Sequence, residues 1–223
     1  MEILGVKIDN LDMDEILERV EYFLKHDQQR YLVTSNPEFL VKAQKDEEFR
    51  KILNQADLSI PDGVGLIFAS RVLGQPIKER VAGVDLMERI CQRAAQANWS
   101  VLLVGAEPGV AEKATENLKS RYPGLKVSED EPVILFVALG APKQEKWIVK
   151  NLRQMPSVKL ALGVGGAFDF ISGRVRRAPK LVQRMNMEWF WRFSRQPWRV
   201  KRMYDALIRF PWLVVKSRYR CKC

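Results

Sequence analysis

Histidine is almost absent from this chain of 223 residues, in which His26 is the only one. Catalytic triads built on histidine and metal sites with several histidines are therefore excluded. Cysteine is also scarce. Cys91, Cys221 and Cys223 show neither metal-ligand spacing nor a disulfide framework, so we expect a reducing, cytosolic environment.

Long apolar runs are missing as well. No uninterrupted run reaches the roughly 18–20 apolar residues that a helix needs to cross a bilayer. The first residues lack the basic segment and apolar stretch of a signal peptide. There is also no clear Asp-x-Asp pair of the kind that holds a metal ion on a nucleotide sugar. The sequence therefore predicts neither a membrane-spanning helix nor a metal or other cofactor.

Positive charge is concentrated in the last fifty residues. Residues 174–223 hold fifteen of the 37 Lys and Arg but only two of the 27 Asp and Glu, a formal charge of +13 in a chain of +10. Four of the six Trp lie there as well. We therefore predict a near-neutral domain at 1–173 and a basic, aromatic appendage at 174–223. Such an appendage favours an anionic surface, either a membrane or a nucleic acid.

The first 173 residues alternate apolar, β-rich runs with amphipathic segments. This rhythm predicts an α/β fold, a Rossmann-like and mostly parallel sheet flanked by helices, followed by a basic helical appendage. Strands are predicted at residues 3–8, 31–34, 58–60, 100–104, 133–139 and 158–164. Helices are predicted at residues 13–24, 38–44, 47–55, 65–73, 86–97, 110–121 and 144–153, and in the appendage at about 181–193 and 200–215.

One connection breaks this rhythm. A short strand at 125–127 would be followed by the next at 133, with only 128–132 between them. A parallel crossover needs about a dozen residues. Either the two strands are antiparallel, or a helix-bearing segment is absent from this chain.

Polar residues follow the predicted strands, where open α/β sheets place their sites. Thr34-Ser35-Asn36-Pro37-Glu38 follows the second strand. Asn36 suits a helix cap and Pro37 the first helical position. A capped helix start explains those two residues, but Thr34 and Ser35 are not needed for it and are left for a ligand.

Asp62 lies between Pro61 and Gly63, directly after the third predicted strand. A carboxylate at so sharp a turn can act as a general base, and it can equally cap the following helix. Arg80, in the loop before the next helix, is a candidate for binding a phosphate or a sugar.

Three turns that begin at Gly105, Gly140 and Gly163 follow later strands. None has the spacing of a dinucleotide fingerprint or a P-loop. Each can bring backbone N–H groups to a diphosphate at a helix N terminus, although tight strand-to-helix turns explain each one equally well. Without a metal, a diphosphate leaving group would need helix N termini and Arg or Lys side chains.

Five motifs in order resemble the WecG/TagA/CpsF glycosyltransferases, particularly the TagA/TarA branch of wall teichoic acid synthesis, over most of residues 1–200. They are Thr34-Ser35-Asn36-Pro37, Pro61-Asp62-Gly63, Arg80-Val81-Ala82-Gly83-Val84-Asp85-Leu86, Gly140-Ala141-Pro142-Lys143-Gln144-Glu145 and residues 163–169.

The resemblance implies an inverting, metal-independent hexosyltransferase. It would move N-acetylmannosamine from UDP-ManNAc to the 4-hydroxyl of GlcNAc in undecaprenyl-diphosphate-GlcNAc, giving a β-1,4-linked disaccharide lipid. Asp62 inherits the role of the base, with Thr34 and Asn36 in the same pocket and Gln144 near the donor. Two departures from the family are the short connection at 128–132 and a slightly variant glycine turn at 163–167.

The resemblance also implies that the appendage docks on the anionic inner face of the plasma membrane and completes the active site. Arg218 and Arg220 are candidates for contacting the diphosphate, and the sequence does not rank them against Arg199 or Arg202. The protein would then be cytoplasmic and peripherally associated with the membrane, and a homo-oligomer would fit the family. The alternatives are a WecG-like or CpsF-like enzyme that uses another UDP-sugar and, less favoured, a nucleic-acid-binding protein.

Overall fold

The computed structural model describes residues 1–185, 187–195 and 200–220. The predicted α/β fold is confirmed. Eight strands are formed in this part of the chain: β1 (Glu2–Ile3), β2 (Val6–Lys7), β3 (Arg30–Ser35), β4 (Leu58–Pro61), β5 (Ser100–Gly105), β6 (Lys126–Val127), β7 (Ile134–Ala138) and β8 (Leu160–Gly163).

Eight helices of the first 173 residues connect or flank these strands. They are α1 (Met13–Leu24), α2 (Pro37–Ala43), α3 (Glu47–Gln55), α4 (Val64–Val72), α5 (Gly83–Ala97), α6 (Val110–Arg121), α7 (Lys143–Asn151) and α8 (Ala167–Ile171). Three of them, α1, α3 and α6, have the predicted bounds. In α1, Asp12 and Glu15 form a capping box in which each side chain accepts the other's backbone N–H.

The six-stranded sheet has the order β4-β3-β8-β7-β5-β6, and every neighbouring pair is parallel. Alternate side chains of the inner strands enter separate cores on the two faces. In β7, Ile134 and Phe136 face a core built with α1, α5, α6 and α8, whereas Leu135 and Val137 pack with Ile148 of α7. Helices therefore cover both faces, as an all-parallel sheet requires.

The predicted strand at residues 3–8 is instead an antiparallel hairpin of β1 and β2. Leu4 and Gly5 both have positive φ, 52° and 78°, which reverses the chain between two very short strands. Ile3, Val6 and Ile8 are all fully buried, so the hairpin adds its apolar side chains to the core under α3.

Strands β6 and β7 run parallel to each other on the two sides of β5, so the antiparallel alternative is wrong. Lys126 and Val127 pair with Ser100 and Val101 on one side of β5, and Ile134 is level with Val101 on the other. A parallel crossover is long because the chain must return along a whole strand. Here β6 ends level with Val101 and β7 begins at the same level. The chain therefore passes from one side of β5 to the other without running back along a strand.

Hydrogen bonds hold this connection against the first residue of β5. The hydroxyl of Ser100 donates to the carbonyl of Glu131 at 2.8 Å, and the N–H of Val133 donates to the carbonyl of Ser100 at 3.1 Å. The paired register of β6 stops at Val101. The outer edge of β5 beyond that residue is therefore left without a strand in the described part of the chain.

The appendage forms further helices: α9 (Lys180–Arg184), α10 (Glu188–Arg195), α11 (Val200–Tyr204) and α12 (Phe210–Arg220). The helix predicted at 181–193 is thus divided into α9 and α10. Residues 205–209 join α11 to α12 as one π-helical segment. Pro211 follows this segment and has no N–H to give to the preceding turn, which accounts for the local widening.

The last helix is part of the body's core. Phe210 and Val214 are fully buried and pack in the cluster that contains Leu66 and Ala69 of α4 and Phe39 of α2. The boundary between a domain at 1–173 and an appendage at 174–223 stays a prediction, but the appendage rests on the body through these apolar contacts.

Candidate active site

A cavity of about 790 Å³ lies at the carboxyl edge of the sheet. Because the six strands are parallel, the turns that follow them converge at this edge, the usual ligand site of an open α/β sheet. The body contributes residues that follow β3, β4, β7 and β8, and the appendage contributes residues of α10, α11 and α12. The appendage therefore forms one wall of the cavity.

Asp62 lines this cavity, directly after β4. Its side chain is 30% exposed and its backbone N–H donates to the carbonyl of Ser35 at 2.7 Å. The helix that follows begins after Gly63, whose φ of 110° makes the sharp turn, and it has no side-chain cap. The alternative that Asp62 caps that helix is therefore wrong.

The carboxylate of Asp62 instead meets the start of α5. Its Oδ2 accepts the N–H of Gly83, the first residue of that helix, at 3.2 Å. The positive end of a helix stabilises a nearby carboxylate. Arg80 also lines the cavity, with Nη1 4.0 Å from Oδ1 of Asp62. Asp62 is thus a fixed, ionisable group with one side toward the cavity.

Thr34 and Asn36 line the same cavity, but Ser35 does not. Thr34 Oγ1 donates to the carbonyl of Gly163 at 3.2 Å, which joins the ends of β3 and β8. Asn36 caps α2 by accepting the N–H of Phe39 at 3.1 Å. The expectation that Ser35 is left for a ligand is wrong, because its fully buried hydroxyl is hydrogen-bonded to Ser59 at 2.8 Å and joins β3 to β4.

Gln144 joins two of the glycine turns. Its side chain is almost fully buried, and Oε1 accepts the N–H groups of Gly140 and Gly165, both at 3.1 Å. Gln144 and Gly140 both line the cavity, and their role at the donor stays a prediction. However, these two N–H groups are used within the protein, so the expectation that they bind a diphosphate is not met in this conformation.

Gly163 and Gly105 are needed for close packing beside the cavity. A Cβ on Gly163 would lie 2.6 Å from Nε2 of Gln144, and a Cβ on Gly105 would lie 2.8 Å from Cδ2 of Leu139. Gly105 also has a φ of 97°. Neither glycine lines the cavity itself, whereas the next residue after Gly105, Ala106, does. Their role seen here is to let neighbouring turns approach.

Glu145 is a buried carboxylate that sequence reasoning did not assign. It is fully inaccessible to solvent, its Oε1 accepts the amide of Gln144 at 2.6 Å, and its Oε2 has no hydrogen-bond partner among the described residues. Burial raises the pKa of Glu145 to about 7, against the opposing effects of the Gln144 hydrogen bond and the charge of Lys42.

Arg177 fastens the appendage to one side of the cavity. Its guanidinium binds both carboxylate oxygens of Asp85 in α5, at 2.5 and 2.7 Å, and its Nε donates to Glu188 of α10 at 3.1 Å. The bidentate contact between Arg177 and Asp85 fixes the relative orientation of the two side chains. Glu188 and the neighbouring Trp189 then line the cavity.

Arg202 fastens the other side. Its Nε lies 2.5 Å from Oε2 of Glu38, and Oε1 of Glu38 lies 2.8 Å from Nζ of Lys42. Burial acts to raise the pKa of Glu38, but the charges and hydrogen bonds of Arg202 and Lys42 outweigh it, so the pKa lies below its ordinary value. Arg202, Met203 and Glu38 all line the cavity.

The arginines of the appendage that were candidates for contacting the diphosphate lie at different places relative to the cavity. Arg202 lies at the cavity, whereas Arg218 is exposed on α12 and is not among the lining residues. The side chain of Arg220 and all of Arg199 lie outside the described part of the structure. Arg174, which the sequence did not single out, lines the cavity and contacts Glu107 at 2.5 Å.

An apolar stripe runs along the exposed side of the last helices. We define this stripe as Val200, Tyr204, Ile208, Trp212 and Val215, which are between 42% and 60% exposed. Their spacing of three or four residues places them on one helix face. The ammonium group of Lys216 lies 4.6 Å from the ring centre of Trp212.

No helix of residues 1–185, 187–195 and 200–220 is long and apolar enough to cross a bilayer. Within the same ranges, no group of three or more His, Cys, Asp or Glu side chains is arranged to hold a metal ion.

Comparison with known proteins decides the family. The profile of the glycosyl transferase WecG/TagA/CpsF family matches residues 1–131 and 126–223. The chain belongs to this glycosyltransferase family. The predictions of that family and of a hexosyltransferase are confirmed.

The chain is similar to N-acetylglucosaminyldiphosphoundecaprenol N-acetyl-beta-D-mannosaminyltransferases of Staphylococcus aureus. It is 31% identical to those of strains MRSA252, MW2 and NCTC 8325, over all of this chain and 94% of each relative. These relatives act on an undecaprenol-linked sugar, as their names state.

The two family matches overlap at residues 126–131, which comprise β6 and most of its connection to β7. The alignment with the relatives spans 242 positions, whereas this chain has 223 residues, so at least 19 positions have no counterpart here. Both observations favour the second alternative for this connection, a segment that is absent from this chain.

Glu145 should make the stability of the protein depend on pH. Its pKa is higher in the folded state, about 7, than the ordinary value of 4.5, so ionisation opposes folding as the pH rises through this window. The free energy of unfolding of Glu145→Gln relative to the native protein should therefore increase between pH 4.5 and pH 8, by roughly 3 kcal/mol. Urea unfolding at both pH values measures this difference.

Glu18→Gln is the matched control for the substitution, because Glu18 is an exposed glutamate of helix α1. The pH-dependent difference expected for Glu145→Gln should be much larger than that of this control. A Glu145→Gln difference that is the same at both pH values would show that Glu145 is as ionised in the folded protein as in the unfolded chain.

Proposed function

We propose that this protein transfers N-acetylmannosamine from UDP-ManNAc to the 4-hydroxyl of GlcNAc in undecaprenyl-diphosphate-GlcNAc. The product would be the ManNAc-β1,4-GlcNAc lipid of the wall teichoic acid linkage unit. The observation that carries the proposal is the Asp62 carboxylate at the cavity, in a chain whose full length matches relatives named for this transfer.

Asp62 acts as the general base in this proposal. It accepts the proton of the acceptor's 4-hydroxyl while that oxygen forms a bond to the anomeric carbon of the donor. The bond from this carbon to the diphosphate breaks on the opposite face, and UDP leaves with the electron pair. Attack opposite to the leaving group converts the α-linked donor into a β-linked product.

Arginine side chains stabilise the leaving diphosphate in place of a metal ion. Arg80, Arg174 and Arg202 line the cavity, and each lies beside an acidic side chain in the described structure. Guanidinium groups bind phosphate oxygens strongly in a site shielded from water. A bound donor would take over contacts that Glu107 and Glu38 now make with two of these arginines.

The apolar stripe supports docking on a membrane. Tryptophan and tyrosine favour the headgroup region of a bilayer, and basic residues favour its anionic phosphates. Lys201, Lys216 and Arg218 belong to the same helices. The helices that carry the stripe also line the cavity, so docking would bring the lipid acceptor to Asp62. We therefore assign the protein to the inner face of the plasma membrane as a peripheral protein, with no role for nucleic acid.

Turnover with a panel of UDP-sugars tests the proposed reaction. The purified lipid acceptor is supplied with UDP-ManNAc, UDP-GlcNAc or UDP-glucose, with and without EDTA. We expect the highest turnover with UDP-ManNAc. EDTA should have no effect, because arginine side chains rather than a metal ion stabilise the leaving diphosphate. A clear preference for another donor would favour a WecG-like or CpsF-like activity, and a loss of activity in EDTA would contradict metal independence.

Asp62→Asn should reduce turnover by roughly 10²–10⁴-fold, because the amide cannot accept the proton. The substitution keeps the shape of the side chain, so thermal unfolding and donor binding should change little. Asp130→Asn, in the exposed connection between β6 and β7, is the control and should behave like the native protein. Near-normal turnover of Asp62→Asn would remove Asp62 from the mechanism.

Ile208→Ser with Trp212→Ser tests the membrane surface. Each substitution should lower affinity for phosphatidylglycerol vesicles by roughly tenfold, because exposed apolar area is lost. Turnover on a water-soluble acceptor should persist, since neither residue lines the cavity.

Tyr22→Ser is the matched control, because Tyr22 is an aromatic residue of α1 that is 54% exposed outside the stripe. Vesicle binding by the double variant equal to that of this control would place the docking surface elsewhere. Salt-dependent binding to duplex or single-stranded nucleic acid would support the nucleic-acid alternative instead.

A further inference from the structure

Glu145 lies next to the cavity but is not part of its wall. It is the third residue of α7, with no exposure to solvent, and the neighbouring Gln144 lines the cavity. A buried carboxylate costs stability unless its charge is compensated. Glu145 has one hydrogen bond to Gln144 and one oxygen without a partner among the described residues. Packing alone gives no reason for an acid at this position.

The bond from Gln144 to Glu145 fixes an amide that has three partners. Oε1 of Gln144 accepts two N–H groups, from Gly140 after β7 and Gly165 after β8. Nε2 donates to Glu145. The first two bonds determine where the amide oxygen lies, and the third determines how the amide plane is turned. Without an acceptor at Glu145, the amide nitrogen would be buried with an unused donor, which is unfavourable.

Further contacts connect this pair to Asp62. A Cβ on Gly163 would lie 2.6 Å from Nε2 of Gln144 and 2.9 Å from Oε1 of Glu145, so both side chains pack directly on Gly163. The carbonyl of Gly163 accepts the hydroxyl of Thr34. A Cβ on Gly83 would lie within 4 Å of both Thr34 and Asp62.

We propose that Glu145 is a positioning residue for the sugar-nucleotide donor. Its carboxylate orients the amide of Gln144, and this amide holds the turns after β7 and β8 in the shape that the donor meets. Glu145 touches neither substrate. The inference rests on the proposed function only in naming a UDP-sugar as the molecule that these turns receive.

Glu145→Met tests the inference, because it keeps the length of the side chain and removes the acceptor. Gln144 should then turn toward the cavity to solvate its amide and release Gly140 and Gly165. Amide hydrogen exchange at those two glycines should accelerate, and kcat/KM for the donor should fall by about 10²-fold, the scale of a small misplacement in an active site. The KM for the lipid acceptor should stay unchanged.

Glu145→Gln is the conservative comparison. Its amide oxygen can still accept from Gln144, so donor kinetics should stay within a few-fold of native. The donor KM of the native protein should rise as the pH falls below about 7, because the protonated acid is a weaker acceptor, and this change should be absent from Glu145→Gln. Lys42 of α2 is the charged side chain that acts on this carboxyl.

A double variant separates positioning from general stability. Gln144→Ala should show the same loss as Glu145→Met, and combining the two should add little further loss, since both act through one amide. Thermal unfolding of Glu145→Met at pH 8 should be no easier than that of the native protein, because a buried carboxylate has been removed.

Native exchange rates at Gly140 and Gly165 in Glu145→Met would overturn the inference whatever the substrate proves to be. Native donor kinetics in that variant would overturn it as well. If Glu145→Met does not fold, a donor KM in Glu145→Gln that keeps the native pH dependence would also overturn the inference. A native protein that turns over no UDP-sugar would contradict the proposed function instead, and the exchange rates would still decide the role of Glu145.

Discussion

Two hydrogen bonds hold the carboxylate on which the proposed chemistry depends. The N–H of Asp62 donates to Ser35 at the end of β3, and Oδ2 of Asp62 accepts the first N–H of α5 from Gly83. One bond fixes the backbone of the turn and the other fixes the side chain. Both are available because the parallel strands end at one edge of the sheet, where α5 also begins. Together they hold Asp62 at the edge of the sheet that the cavity occupies.

The basic residues of the appendage have two different positions at the carboxyl edge of the sheet, and the sequence alone does not distinguish them. Part of its positive charge is used inside the protein, where Arg177 binds Asp85 and Arg202 binds Glu38. These contacts hold the appendage against the cavity. Lys201, Lys216 and Arg218 stay exposed on the helices that carry the apolar stripe. A formal charge of +13 therefore overstates the positive charge that the appendage can offer to an external partner.

The fold was largely predictable from the sequence because its signals are local. Asp12 and Asp46 cap α1 and α3, and apolar periodicity marks the helices between the strands. Asp62 was also predictable as a site residue, since it follows a strand between proline and glycine. Residues whose roles depend on distant partners were not: Arg202 and Glu38 are 164 positions apart, and Glu145 is seen as unusual only when its burial is known. The sequence left the connection after β6 open between two alternatives, because the crossover rule assumes full-length strands and β6 has only two residues.

In the proposed reaction, Asp62 takes the proton of the acceptor hydroxyl. The most direct measurement is a crystal structure of the protein with UDP and a water-soluble analogue of the acceptor lipid. We expect the 4-hydroxyl of the GlcNAc to lie about 2.6–3.2 Å from a carboxylate oxygen of Asp62, on the side away from the diphosphate. An acceptor whose 4-hydroxyl contacts a different side chain, with Asp62 out of reach, would contradict it.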